Sequence, residues 1–285
     1  MERGVSTLAT AATLFVALFA WVSIQQVQEE QSITREGQIT DRYNAAVDNL
    51  GNASLDVRLG GIYALQRIMQ DSSRDQPTVI SVLSAYIRAH ATQPKKPVAE
   101  PEPPPRDVGA ALTVLGKRDV SHDGAGFVDL AGAYLPGADL HGADLHGADL
   151  SYANLSGAKL VDAKLQGVDL AFANLVSAEL TRANMTKAKL SYAILVDAEL
   201  TGANLTKAKL NSDPDSTDLH GSHLSGANLS GAKLSHADLY DTILTHVNLT
   251  GADLSYANLS RADLRHTDLA KANLSHANLT GAKRH

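Results

Sequence analysis

From Phe127 onward the apolar positions recur every five residues. The stretch from Gly137 to Leu155 reads GADLHGADLHGADLSYANL, and each unit writes Ala, then Asp or Asn, then Leu. A step of five scatters leucines around an α-helix and alternates them across a flat strand. Ala and Leu within one unit are two apart, so they face the same way in a short extended piece. A bend after each piece restores that direction. The pattern predicts a polygonal coil with Ala and Leu inside.

Taking Leu as the centre, one block runs from Leu130 to Leu210 and a second from Leu219 to Leu279, with Met185 the single departure. They hold 17 and 13 units. The exposed residues give the number of sides. Tyr152, Phe172 and Tyr192 are spaced by 20, as are His236, Tyr256 and His276, and His246 and His266. Twenty residues per turn makes four sides, about 7.5 coils and a stack roughly 36 Å tall. The break NSDPDSTDL, from Asn211, fits an insertion of four residues bulging at Ser212 to Ser216, with turn chemistry from Asp-Pro-Asp. That reading puts both aromatic sets on one side, together with Lys189, Lys209 and Lys233.

The front half has other periods. Val5 to Ile24 carries no charge over 20 positions, the length of a membrane-spanning helix. Residues 1–25 are expected as a retained single-pass anchor, because the n-region is weak and no A-x-A cleavage site follows. The flanking Arg and Lys count is balanced and gives no orientation. Residues 26–91 read as a helical unit. Tyr43, Ala46, Val47 and Leu50 form one face. Ser54 is expected to cap a second helix bearing Leu55, Leu59, Ile62, Leu65 and Met69. Asp75 and Pro77 open a third bearing Val79, Val82, Leu83, Tyr86 and Ile87. Residues 92–106, rich in proline, read as a semi-rigid spacer. Residues 107–126 hold a short helix over Ala110 to Leu115 and lead into the array at 127–285.

The net charge of -6 argues against nonspecific nucleic-acid binding, and the lack of cysteine excludes disulfides and thiolate sites. No catalytic constellation stands out, since Ser and His fall at outward repeat positions. His246 and His266 are close enough on neighbouring coils to share a metal, but no third ligand is specified. Neither metal nor cofactor is expected, and the chain does not read as an enzyme. The distinctive surface is the side carrying Tyr152, Phe172, Tyr192, Lys189, Lys209, Lys233, His236, Tyr256 and His276. Aromatic and basic residues together suit a protein partner. No helix follows the last unit to cover it, so pairing of two copies through the C-terminal coil is expected.

The run GADLHGADLHGADLSYANL resembles the pentapeptide-repeat family, whose consensus is A(D/N)LXX, over roughly Val128 to Ala282. The resemblance implies a mainly β fold, a right-handed quadrilateral β-helix, here preceded by the anchor and the helical unit. The front half, GQITDRYNAAVDNLG and DVRLGGIYALQRIMQDSSRDQPTV, is similar to membrane-anchored actinobacterial members. That likeness implies a cell-membrane location with the repeats in the cytoplasm. The expected function is a membrane-tethered protein-interaction scaffold. The alternative implied by the resemblance is a DNA mimic that binds and protects gyrase. Mimicry needs a strongly acidic rod, and from Phe127 onward 17 acidic residues face 13 basic ones.

Overall fold

The computed structural model describes residues 2–94, 102–211 and 217–284, with side chains throughout except at 2–17, 30 and 32–35. Four helices precede the coils: α1 (Glu2–Leu50), α2 (Leu55–Asp71), α3 (Gln76–His90) and α4 (Arg106–Gly116). A 3-10 turn follows at Val120–His122.

α1 runs without a break across the boundary expected between anchor and helical unit. No proline interrupts this stretch, so nothing ends the helix before Gly51. Among the described residues no helix is long and apolar enough to cross a membrane. The transmembrane segment expected at 5–24 is therefore not seen. Most of it falls on positions whose side chains lie outside the described residues. Its described part, from Leu18 to Ile24, exposes Leu18, Phe19, Trp21, Val22 and Ile24.

The C-terminal part of α1 packs on α2 through Ala46 and Leu50, and Gly61 marks the crossing. A Cβ there would lie 2.7 Å from the Ala46 carbonyl oxygen. Ser54 and Asp75 stand at the helix starts predicted for them, yet neither side chain makes a capping hydrogen bond. A buried polar knot joins three helices. Tyr86 Oη on α3 and Arg58 Nε on α2 both donate to Asp107 Oδ2 on α4, at 2.7 and 2.6 Å. Burial pushes the Asp107 carboxyl up, but bonds from Tyr86, Arg58 and the Val108 N–H outweigh it and hold it below the usual carboxylate range. Burial and the same carboxylate push Tyr86 up to about 12.

The helices do not stand away from the coils. Val108, Leu112 and Leu115 of α4 join one continuous apolar core with Leu130, Leu135 and Leu140 of the first coil. The Tyr134 N–H donates to Ala91 O and the Asp144 N–H to Gly116 O, each at 2.8 Å. Arg118, almost wholly buried, donates to Leu115 O, to Asp144 O and to the Asp123 carboxylate. Residues 95–101 of the expected spacer lie outside the described residues. Its ends at Pro94 and Glu102 both border the hollow beside Tyr134.

The coils follow the period of 20. Parallel bridges link Asp129 to Asp149 to Asp169 on side one, Tyr134 to Asn154 on side two, Asp139 to Lys159 on side three and Asp144 to Lys164 on side four. Across the break the step becomes 24, from Ile194 to Asp218 and from Lys209 to Lys233. That is the four-residue insertion; the loop at 212–216 lies outside the described residues. The stack also gains a side beyond the expected thirty, because Lys283 bridges Asp263.

Each unit is built the same way. Leu N–H donates to the coil above, as from Leu130 to Asp149 O at 2.8 Å, and the Asp149 N–H donates back to Val128 O at 2.9 Å. A turn closes the corner, with Ala133 N–H on Leu130 O. The residue two after nearly every Leu takes φ near +60°, at glycines and at sixteen other residues, with Lys271 an exception. This is the left-handed place that a type II turn gives to glycine. The Asp or Asn of the motif accepts the N–H two residues on, as Asp149 does from Ser151 at 2.9 Å and Asn154 from Ser156 at 3.0 Å. That Asx bond is the physical reason for the alternation between Asp and Asn.

Candidate functional site

Side one gathers the residues singled out from the sequence. Tyr152 and Phe172 stack at 4.7 Å with 2° between their planes, and Phe172 and Tyr192 at 4.5 Å with 5°. Beyond the insertion His236 and Tyr256 stack at 4.9 Å, and Tyr256 and His276 at 4.8 Å. Both runs occupy the corner after side one, separated by one coil at the inserted loop. These rings share the left-handed conformation, with φ of 59° at Tyr152 and 61° at Phe172. The conformation aims each side chain outward from the corner, so rings 20 residues apart lie face to face. Tyr152 is 64 % exposed, Phe172 44 % and Tyr256 55 %.

Lys189, Lys209 and Lys233 follow one another on the wall beside these rings. Lys189 Nζ donates to Asp169 Oδ2 at 2.9 Å, and that carboxylate raises the ammonium above the ordinary lysine value. One rung above Lys233, Asp253 is held below the usual range, first by Ser255, then by Asn273 and Lys233. On the opposite corner the repeated Thr-Lys-Ala-Lys-Leu places Lys187 below Lys207, both exposed. The sequence reading missed that second lysine column, although the pentapeptide occurs twice, 20 residues apart.

Elsewhere His246 and His266 stack at 4.8 Å, and His220 and Tyr240 at 4.9 Å with Arg261 over the Tyr240 ring. No group of three or more metal-ligating side chains occurs among the described residues. A hollow of about 340 Å³ lies at the seam of α2, α4 and the 3-10 turn, lined by Met69, Gln70, Gln76, Lys117 and His122. What side one offers chemically is a rigid, flat wall of fixed charges edged by stacked rings.

A comparison with curated proteins finds no match. Solved structures do resemble the chain. HetL, a pentapeptide repeat protein involved in heterocyst differentiation regulation from Nostoc sp. strain PCC 7120, is 34% identical. The likeness covers 54% of this chain and 82% of that one, with a TM-score of 0.25. The pentapeptide repeat protein alr5209 from Nostoc PCC 7120 is 30% identical over 44% of this chain and 84% of its own, at 0.26. QnrB1, a plasmid-mediated fluoroquinolone resistance protein, is 20% identical over 50% of this chain and 78% of its own, at 0.25. The family described as Pentapeptide repeats matches in 8 copies, over residues 127–162, 163–201, 183–212, 215–251 and 248–283. These segments cover more than half of the sequence and coincide with the bridged coils: the chain belongs to the pentapeptide-repeat family.

Proposed function

We propose that this protein is a non-enzymatic interaction scaffold, tethered to a membrane by its N-terminal helix, that binds protein through side one. The observation that carries the reading is the wall itself. Exposed aromatic rings stand in register beside lysines on a backbone that every coil pins to the next. Exposed aromatic surface next to fixed charge is the composition of protein-binding patches. The tether rests on the uncharged run at 5–24 and on the apolar side chains that α1 exposes between Leu18 and Ile24. A helix apolar on every side suits lipid better than water.

DNA mimicry is the weaker reading. A mimic needs an unbroken acidic column, and Lys189, Lys209 and Lys233 interrupt it. Changing these three to Glu is expected to strengthen mimicry and to weaken the scaffold.

A photocrosslinking residue in place of Tyr152 or Tyr256 tests the main reading in cells. Crosslinked protein is expected from these positions and not from His223 on side three, the opposite wall. No product from either position overturns the reading. Because the chain has no cysteine, Ser275→Cys with an impermeant thiol reagent reports on which face of the membrane the coils lie. Carbonate extraction reports the tether: the protein is expected in the pellet, and a soluble protein ends that part.

A further inference from the structure

The wall of side one is written in blocks of charge. Ascending one residue per coil, it reads Asp129, Asp149, Asp169, then Lys189, Lys209, Lys233. At the capped end Arg88 bonds both the carbonyl and the carboxylate of Asp129, and at the other end the next rung is Asp253. The signs are antisymmetric about the point between Asp169 and Lys189. Each acid lies as far below that point as its opposite lies above it.

We infer that side one docks on side one of a second copy, antiparallel, about a two-fold axis crossing between Asp169 and Lys189. This rests on the scaffold reading and names the partner of the same face. Rotation about that axis sets Asp169 against Lys189, Asp149 against Lys209 and Asp129 against Lys233 of the other copy. Such an isologous contact makes every pair twice. The parallel arrangement sets like charges against each other all along the wall, so the sign pattern selects the antiparallel one. The edges agree. The aromatic corner meets itself, with Phe172 on Tyr192 of the second copy. At the opposite corner Lys187 and Lys207 meet Gly167 and Gly147, so no like charges oppose and no side chain obstructs. An acidic peptide or a nucleic acid has no such match, because lysines fill only three rungs and Asp169 and Asp253 bound them.

A cysteine pair tests this directly. In the full chain in detergent, Asp149→Cys with Lys209→Cys places the thiols three coils apart within one chain, about 14 Å. Walls packed face to face stand about 10 Å apart, beyond the roughly 7 Å between Cα atoms that a disulfide allows, so a bis-maleimide with a spacer of about 8 Å is the probe. The double variant is expected to give a covalent dimer with it. Neither single cysteine variant gives it, since each lacks its opposite. A double variant that stays monomeric with the reagent overturns the inference.

Charge reversal is the second arm, read by sedimentation equilibrium. D149K and K209D each set like charges together at two places and are expected to weaken the dimer about tenfold or more. Mixing the two variants, or combining both changes in one chain, restores it. Lysine is already tolerated at the equivalent rung in Lys159 and Lys164, so D149K retains a folded coil. Association indifferent to both reversals belongs to the C-terminal coil and overturns the side-on contact. Crosslinking from Tyr152 separates the two proposals. A product of twice the chain mass supports the inference; products with other proteins from a monomeric chain leave the scaffold standing and sink the self-contact. No product of any kind sinks both.

Discussion

The two ends of the coil stack solve the same problem differently. A stack of coils is a parallel sheet on each wall, and its terminal coils have unpaired edges and an uncovered interior. At the N-terminal end α4 lies across the opening, and Val108, Leu112 and Leu115 fill it. Backbone groups of the first coil are matched as well, Tyr134 to Ala91 and Asp144 to Gly116. Gly116 lets that contact form, since a Cβ there would lie 2.8 Å from Ala143 Cβ. At the C-terminal end Leu269, Leu274 and Leu279 are only half-buried. In the coils between, the leucines are almost wholly enclosed. One end is thus fixed by helices, and the other offers apolar rungs to whatever can cover them.

Arg118 gives the largest expected contrast. Its guanidinium is buried and holds Leu115 O, Asp144 O and the Asp123 carboxylate, so Arg118→Ala strips two carbonyls of this donor and leaves the carboxylate with Gln76 Nε2. The expected loss is roughly 3–5 kcal/mol. Arg265 pairs with Asp263 on the exposed surface near the open end, and Arg265→Ala is expected to cost far less, since solvent screens an exposed pair. Thermal unfolding of the two variants checks the ranking. Equal losses would mean that the cap does not stabilise the stack.

Leucine truncation measures the same gradient from inside. Leu155→Ala removes an enclosed rung and is expected to cost about 2–5 kcal/mol. Leu279→Ala, in a half-exposed coil, is expected to cost about 1 kcal/mol. Denaturant midpoints report both. If Leu279→Ala costs as much as Leu155→Ala, the last coil is already covered under the conditions of the measurement.

Acid separates the ends by a smaller margin. The Arg265 guanidinium, first among its partners, holds Asp263 at about 2, against 3.8 for a free side chain. A depressed carboxyl stabilises fully above its unfolded pKa and loses that contribution as pH falls through the folded one. Stability from Asp263 is therefore lost between about pH 4 and pH 2. Asp263→Asn is expected to flatten the fall of melting temperature over that window. Asp107 in the cap has the same sign, so the parent protein retains part of the slope in the variant. An unchanged slope in Asp263→Asn would show that the pair contributes nothing.

The coils were legible because their rule is local and repeated. Leu and Ala mark the inside, and the step of 20 between Tyr152, Phe172 and Tyr192 fixes four walls. The step of 24 from Lys209 to Lys233 places the insertion. The cap was not legible. The apolar faces of α3 and α4 show that these helices bury something, but nothing in Val108 or Leu112 says that the first coil is the surface they meet. The junction at residue 25 misled for a related reason. A change from apolar to polar residues suggests a boundary there, while helix propensity continues through it and α1 does not break. The charge blocks of side one are legible only in part, because lysine departs from the Asp or Asn of the repeat while Asp129, Asp149 and Asp169 conform to it.

Phe172→Gly makes the smallest change in stability and the sharpest distinction on side one. Phe172 holds φ at 61°, a conformation that costs a non-glycine residue about 1–2 kcal/mol and glycine almost nothing. Glycine relieves that strain. It also removes two stacked contacts, to Tyr152 and Tyr192, each worth about 0.5–1.5 kcal/mol. The terms oppose each other, and the expected net change is within about 1 kcal/mol of zero. The expected effect on association is larger, because Phe172 stands on the aromatic edge of the proposed contact, next to its two-fold axis. If unfolding of Phe172→Gly matches the parent while crosslinking from Tyr152 falls, the ring serves the interface rather than the coil. If stability drops by several kcal/mol and crosslinking persists, the stack exists to hold its own coils together, and the partner surface lies elsewhere.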